Sequence, residues 1–127
     1  KQIQAIIFDL TDYLGARNVG KALEILKKLE YNKEPVQKIL ITLYNHFKKL
    51  YIVKISNEYK TNLAESMNLK PNQMFLTRKY SEQARYFSKE ELRKIMDELI
   101  NLDAGYKQGL IDLDIGLNAI LCRYCSK

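Results

Sequence analysis

Phe87-Ser88-Lys89-Glu90-Glu91-Leu92 opens the last third of the chain, and its reading decides the fold. Ser88 and Glu91 stand at the spacing of a capping box, in which each side chain accepts a hydrogen bond from the other residue's backbone N–H. Phe87 and Leu92 flank that box as a hydrophobic staple. Beyond it, Leu92, Ile95, Met96, Leu99 and Leu102 keep the period of a helix. A polar connection with Asp103, Lys107, Gly109 and Asp112 leads into a second stripe, Leu113, Leu117, Ile120, Leu121 and Tyr124. Gly116 sits inside that last helix, where Gly costs about 1 kcal/mol against Ala, and so predicts the close approach of another helix. Every strong signal in this region concerns how helices start, stop and pack.

The same period runs upstream. Ile3, Ile6, Ile7, Leu10 and Leu14 form a first helical stripe, with Gly15 placed as a C-terminal cap. Asn18 offers an N-cap to a second helix carrying Val19, Ala22, Leu23, Leu26 and Leu29. The short connection predicts an antiparallel pair. After a Tyr31–Glu34 turn, Pro35 suits a first helical position. A helical pattern then continues to Tyr59, about 35 Å of helix. One stripe of this long helix is Val36, Ile39, Leu40, Leu43, Phe47 and Leu50. Another is Ile41, Tyr44, Ile52, Ile55 and Tyr59, which leaves Lys38, Thr42, Asn45 and Lys49 wet. His46, at the edge of that wet face, is expected to meet solvent. A short helix around Leu63, Ala64 and Met67 precedes one from Asn72 to Arg85 with Leu76, Tyr80 and Ala84. Sustained two-residue alternation is absent. The pattern predicts an all-α, compact bundle of about six to seven helices with a long central helix.

At 127 residues the chain reads as a single domain, 1–127, with no linker or repeat. A domain of that size buries about two-thirds of its unfolded surface and needs no disulfide or metal to hold a core. Two Pro, five Gly and no Trp favour helices over short strands. The net charge of +6 fits a solvated basic surface as well as a nucleic-acid footprint. Apolar runs are too short for a membrane span, and no signal-peptide layout is present. The chain starts at Lys1 without Met and enters a helical pattern at once, so it is read as a piece of a longer protein. Cys122 and Cys125 form a lone C-x-x-C at a helix end. Zinc needs four ligands and His46 is the single histidine, in another element, while a thioredoxin-like strand context is missing. The pair is read as two reduced thiols of a cytoplasmic protein.

Three motifs suggest chemistry without completing it. Gly15-Ala16-Arg17-Asn18-Val19-Gly20-Lys21-Ala22 follows the phosphate-loop pattern up to its hydroxyl. A helical stripe rather than a strand feeds it, and Ala22 cannot hold magnesium. Asn62–Leu69 followed by Asn72–Arg85 resembles a helix-turn-helix, with Arg78, Lys79 and Arg85 as candidate DNA contacts. Met74, Phe75, Leu76, Tyr80 and Phe87 are too apolar a set for a groove-facing helix, and packing accounts for them. Asp112-Leu113-Asp114-Ile115-Gly116 begins like a calcium loop, but Arg123 stands where its closing Glu belongs. Asp97 and Glu98 point to different sides of one helix and do not converge as an acid–base pair. No catalytic residue, cofactor site or metal site is assigned.

Taken in order, these elements resemble the C-terminal collar domain of the bacterial DNA polymerase III delta subunit, a clamp-loader component. Ile7-Phe8-Asp9-Leu10-Thr11-Asp12-Tyr13-Leu14-Gly15 with Lys21-Ala22-Leu23-Glu24-Ile25-Leu26 looks like that family's opening hairpin. The long helix after Glu34-Pro35 looks like its central helix. Gln83-Ala84-Arg85-Tyr86-Phe87-Ser88, with the Asp103…Lys107…Gly109 turn, looks like its closing helices. The resemblance implies a subunit with two preceding AAA+-type domains, absent from this sequence, that grip and open the sliding clamp. It implies a non-catalytic collar that joins delta to gamma/tau and delta-prime type subunits in a ring of five, so that the clamp is loaded on primed DNA. DNA contact would be indirect or weak. The candidate subunit interface is then Ile41, Tyr44, Ile52 and Ile55 of the central helix with Leu117, Leu121 and Tyr124 of the last one. The competing expectations are that the closing helices of this same domain cover that second face, that the chain is a helix-turn-helix-like DNA-binding module, or that it is an all-α enzyme fragment with its site elsewhere.

Overall fold

The computed structural model describes residues 2–33 and 35–126, with residues 2–4 and 7 described by their backbone alone. The side chains of Ile3 and Ile7, and Glu34 of the expected turn, therefore lie outside the described set. Seven helices and no strand occur among the described residues: α1 (Gln2–Gly15), α2 (Val19–Tyr31), α3 (Val36–Tyr59), α4 (Leu63–Ser66), α5 (Phe75–Ala84), α6 (Lys89–Lys107) and α7 (Leu113–Cys125). A 3-10 turn, Pro71–Gln73, separates α4 from α5. The bundle is built around α3, which packs against α6, α5, α4, α1 and α7.

Helix starts follow local side-chain chemistry. Asn18 accepts from the Lys21 N–H at 3.3 Å and Asn62 from the Glu65 N–H at 3.1 Å. Ser88 accepts from the Glu91 N–H at 3.0 Å while the Glu91 carboxylate accepts from the Ser88 N–H at 2.9 Å, closing the capping box. Phe87 and Leu92 beside it are both buried. Asp112 starts α7 by accepting from the Asp114 N–H at 3.0 Å. Pro35 takes the N-cap rather than the first helical position, so α3 begins one residue later.

The stop of α1 differs from expectation. Gly15 is its last residue and is buried, and the left-handed residue is Arg17, with φ 58°. Asn18 N–H bonds the Tyr13 carbonyl at 2.8 Å and Arg17 N–H the Leu14 carbonyl at 3.0 Å, the double closure of a Schellman motif. An arginine accepts this strained backbone because its side chain is anchored on three sides. Nε donates to the Tyr86 carbonyl at 2.7 Å, Nη2 to Glu91 at 3.0 Å, and the guanidinium lies 4.4 Å from the Phe87 ring centroid. Gly15 is instead required for contact, because a Cβ there would collide with the Gln83 side-chain amide. Gly116 behaves as its position predicts: a Cβ would strike Leu102 of α6.

His46 is a second correction. It is 6% exposed, wedged at 5.5 Å from the Phe47 ring and 5.7 Å from Tyr80. Burial, and then the charges of Lys49 and Lys79, push its pKa down to about 3, with only the Gln83 amide opposing. The imidazole is neutral at physiological pH. The expected Asn72–Arg85 helix is also shortened, because the 3-10 turn at Pro71 delays α5 to Phe75.

Candidate subunit interface

The seven candidate residues fall into three groups. Ile41 is 60% exposed, on the outer ridge of α3. Tyr44, Ile52, Ile55 and Tyr124 are half-buried. Leu117 and Leu121 are fully buried in the domain's own core, which removes them as surface contacts. Their stripe on α7 is consumed by packing on α6, α2, α3 and α1. Tyr124 is likewise engaged internally: its hydroxyl donates to Glu98 of α6, and Arg123 reaches the other oxygen of that carboxylate.

Ile41 and Tyr44 share one site. With Leu40, Leu99, Ile100 and Asp103 they line an open groove of about 250 Å³ between α3 and α6. Its wall is apolar apart from Asp103. Ile52 is three turns away along α3, about 16 Å at 1.5 Å per residue. There it faces Met67 after α4 together with Lys48 and Lys49. The second face of α3 is thus open at its N-terminal half and flanked by the α4 region further along. Ile52 and Ile55 do not line the groove that holds Ile41.

Sequence reasoning missed Ile100, 51% exposed, and Ile115, 67% exposed, along with Tyr106, Leu110 and Ile111 at the α6–α7 corner. A signal existed. Ile100 falls outside the Leu92–Leu102 stripe and Ile115 outside the Leu113–Tyr124 stripe, and an apolar residue off its stripe faces solvent or a partner.

Elsewhere the ionisable groups make poor chemistry. Glu30 is raised in pKa by burial, then by Asp114 and Asp112, against a small opposing effect of Lys27. These acids repel one another without forming a cage, and no group of three or more His, Cys, Asp or Glu among the described residues could hold a metal. Cys122 is exposed and Cys125 buried, both as free thiols. Burial pushes the Cys125 thiol up to about 12, so it has little thiolate character. The Gly15–Lys21 segment runs from the end of α1 into the first turn of α2, with no strand before it. In the helix-turn-helix-like region α4 has only four residues, and α5 opens on Phe75, after an exposed Met74, where a major-groove reader presents polar groups. No helix of the described residues is long and apolar enough to cross a membrane.

Residues 4–124 match the family model of the DNA polymerase III delta subunit, C-terminal domain. The chain is 29% identical over 125 residues to DNA polymerase III subunit delta of Bacillus subtilis (strain 168), a match covering 95% of this chain and 35% of that protein. Its fold is similar to that of the Bacillus subtilis DNA clamp loader delta protein, with a TM-score of 0.79 at 28% identity, over 94% of this chain and 35% of that one. The chain spans about a third of the length of each.

Proposed function

Because the chain belongs to the family formed by the C-terminal domain of the DNA polymerase III delta subunit, we propose that it is the assembly module of a clamp-loader delta protein. Its work is burial of an apolar helix face against neighbouring clamp-loader subunits of the gamma/tau and delta-prime type. The observation that carries this reading is the open groove between α3 and α6, where Ile41 and Ile100 stand exposed over a fully packed core. Isolated exposed apolar residues are ordinary on soluble domains, whereas two that flank one apolar groove fit a docking face. In this reading the domain performs no catalysis. Gripping of the sliding clamp, and its loading on primed DNA, belong to AAA+-type domains of the longer protein, in the cytoplasm.

Size-exclusion chromatography of the chain mixed with the remaining clamp-loader subunits tests the reading. Co-elution in a defined complex is expected. Separate elution at concentrations well above those at which the clamp loader assembles would overturn it.

A further inference from the structure

The groove that holds Ile41 and Ile100 does not end at Asp103. A second groove, about 370 Å³, continues it along the same seam and is lined by Val36 and Gln37 where α3 begins, by Tyr106 of α6, and by Asp112 and Asp114 where α7 begins. Gln37 precedes Ile41 by four residues and Tyr106 follows Asp103 by three, so on each helix the two linings share a face. Tyr44 stands with Leu99 and Ile100 at one end, and Val36 with Tyr106 at the other. From Val36 to Tyr44 the furrow runs about 12 Å at 1.5 Å per residue. Its charge is one-sided. The charged residues lining it are Asp103, Asp112 and Asp114, and no Lys or Arg lines either groove, in a chain of net charge +6. Asp103 meets Lys107 at 2.9 Å, an exposed i,i+4 pair of the kind that contributes little. Among the described residues Asp112 and Asp114 join no salt bridge. Near them Glu30 has a buried Oε2 with no hydrogen-bond partner. Burial, and then the charges of Asp114 and Asp112, oppose its ionisation, with Lys27 offsetting little. This end of the furrow carries negative charge that the described residues leave unpaired.

We infer that the furrow receives an amphipathic helix of a neighbouring clamp-loader subunit, whose apolar side chains lie on Ile41 and Ile100 and whose Lys or Arg side chains meet Asp103, Asp112 and Asp114. This rests on the assembly reading above and adds to it the chemistry and the direction of the partner. An apolar channel between two helices seats a third helix through anchors at i, i+3 or i+4, and i+7. Such anchors span about 10 Å, which the furrow accommodates. Carboxylates at one end repel a phosphate backbone and attract a basic side chain, so the occupant is a protein segment rather than a nucleic acid. The exposed Tyr106 ring gives a guanidinium a face to lie against. A helix seated the other way round would set its cations on Ile41 and Ile100 and lose the pairing. The acids therefore fix orientation as well as affinity.

The experiment is the affinity of the full-length protein for the remaining clamp-loader subunits, measured at about 50 and about 200 mM salt. For the unaltered protein Kd should rise with salt. Asp103→Asn, Asp112→Asn and Asp114→Asn together should weaken binding by about tenfold or more and flatten its salt dependence. Asparagine serves as an N-cap at position 112, so α7 keeps its start. Asp103→Asn with Asp114→Asn, which leaves the cap residue untouched, should show a smaller loss of the same kind. Glu24→Gln, Glu82→Gln and Glu90→Gln together, the same change of net charge on exposed residues that do not line the furrow, should alter neither quantity. Salt-independent affinity of the unaltered protein, or equal losses from the two triple substitutions, would overturn the inference. So would unaltered affinity in the aspartate variants while Ile41→Arg with Ile100→Arg weakens assembly, an outcome that leaves the assembly reading standing on apolar contact alone. If the isoleucine pair also leaves assembly unaltered, the assembly reading itself fails and the inference with it.

Discussion

Leu102 of α6 sits on Gly116 of α7 so closely that a single added methyl would strike its Cδ1. Helix propensity alone would favour Ala at position 116 by about 1 kcal/mol. The contact reverses that sign, because Leu102 is buried and must leave its packed rotamer, at a cost of about 1–3 kcal/mol. Gly116→Ala should lower the melting temperature of the chain, and Leu102→Ala in the same chain should cancel much of the added loss. A double-mutant cycle by chemical denaturation reads the coupling directly.

Acid should unfold the domain earlier than its composition suggests, through His46. Its folded pKa of about 3 lies below the ordinary 6.5 because burial and two lysines disfavour the charged ring. Between those values the unfolded chain binds the extra proton, so stability rises with pH across this window and is lost as pH falls from 6.5 toward 3. At pH 5 the loss is about 2 kcal/mol on this account. Glu30, raised by burial and by Asp114 and Asp112, acts in the opposite sense: it becomes easier to accommodate as it protonates. Comparison of the chain with His46→Phe isolates the histidine. Urea unfolding at pH 7 and pH 5 should show a smaller pH dependence in the variant.

Arg17 joins the end of α1 to the start of α6 through Tyr86, Phe87 and Glu91. Arg17→Lys keeps the charge but loses the planar fork and its lie over the ring. It should destabilise the fold by about 1–2 kcal/mol, comparable to deleting the cap with Ser88→Ala. Thermal melts of both variants check this. Lys21→Ala, by contrast, removes an exposed first-turn residue and should leave the melt unchanged. Titration calorimetry with ATP should give no saturable heat for either form.

Legibility in the sequence tracks the distance over which each feature is decided. The caps at Asn18 and Ser88 are readable because donor and acceptor lie three residues apart. The central helix is readable because its apolar pattern is continuous. His46 and Gly15 are misread from sequence because Tyr80 and Gln83, 34 and 68 positions away, determine their surroundings. Leu117 and Leu121 show why a candidate interface is only partly legible in the sequence. An apolar stripe looks the same whether its own chain or a neighbour covers it, so buried Leu117 and open Ile41 cannot be separated by periodicity. What separates them is the placement of α6 and α7 on α3.

The groove between α3 and α6 is proposed to join this domain to other subunits. Its most direct test is the affinity of the full-length protein for the remaining clamp-loader subunits when Ile41→Arg and Ile100→Arg are introduced together. Both residues are exposed in the domain, so its melting temperature should scarcely change. Burying two unpaired charges in an apolar contact should cost at least about 2 kcal/mol, roughly thirtyfold in Kd. Unaltered affinity in a folded double variant would contradict the claim and move the interface to another face.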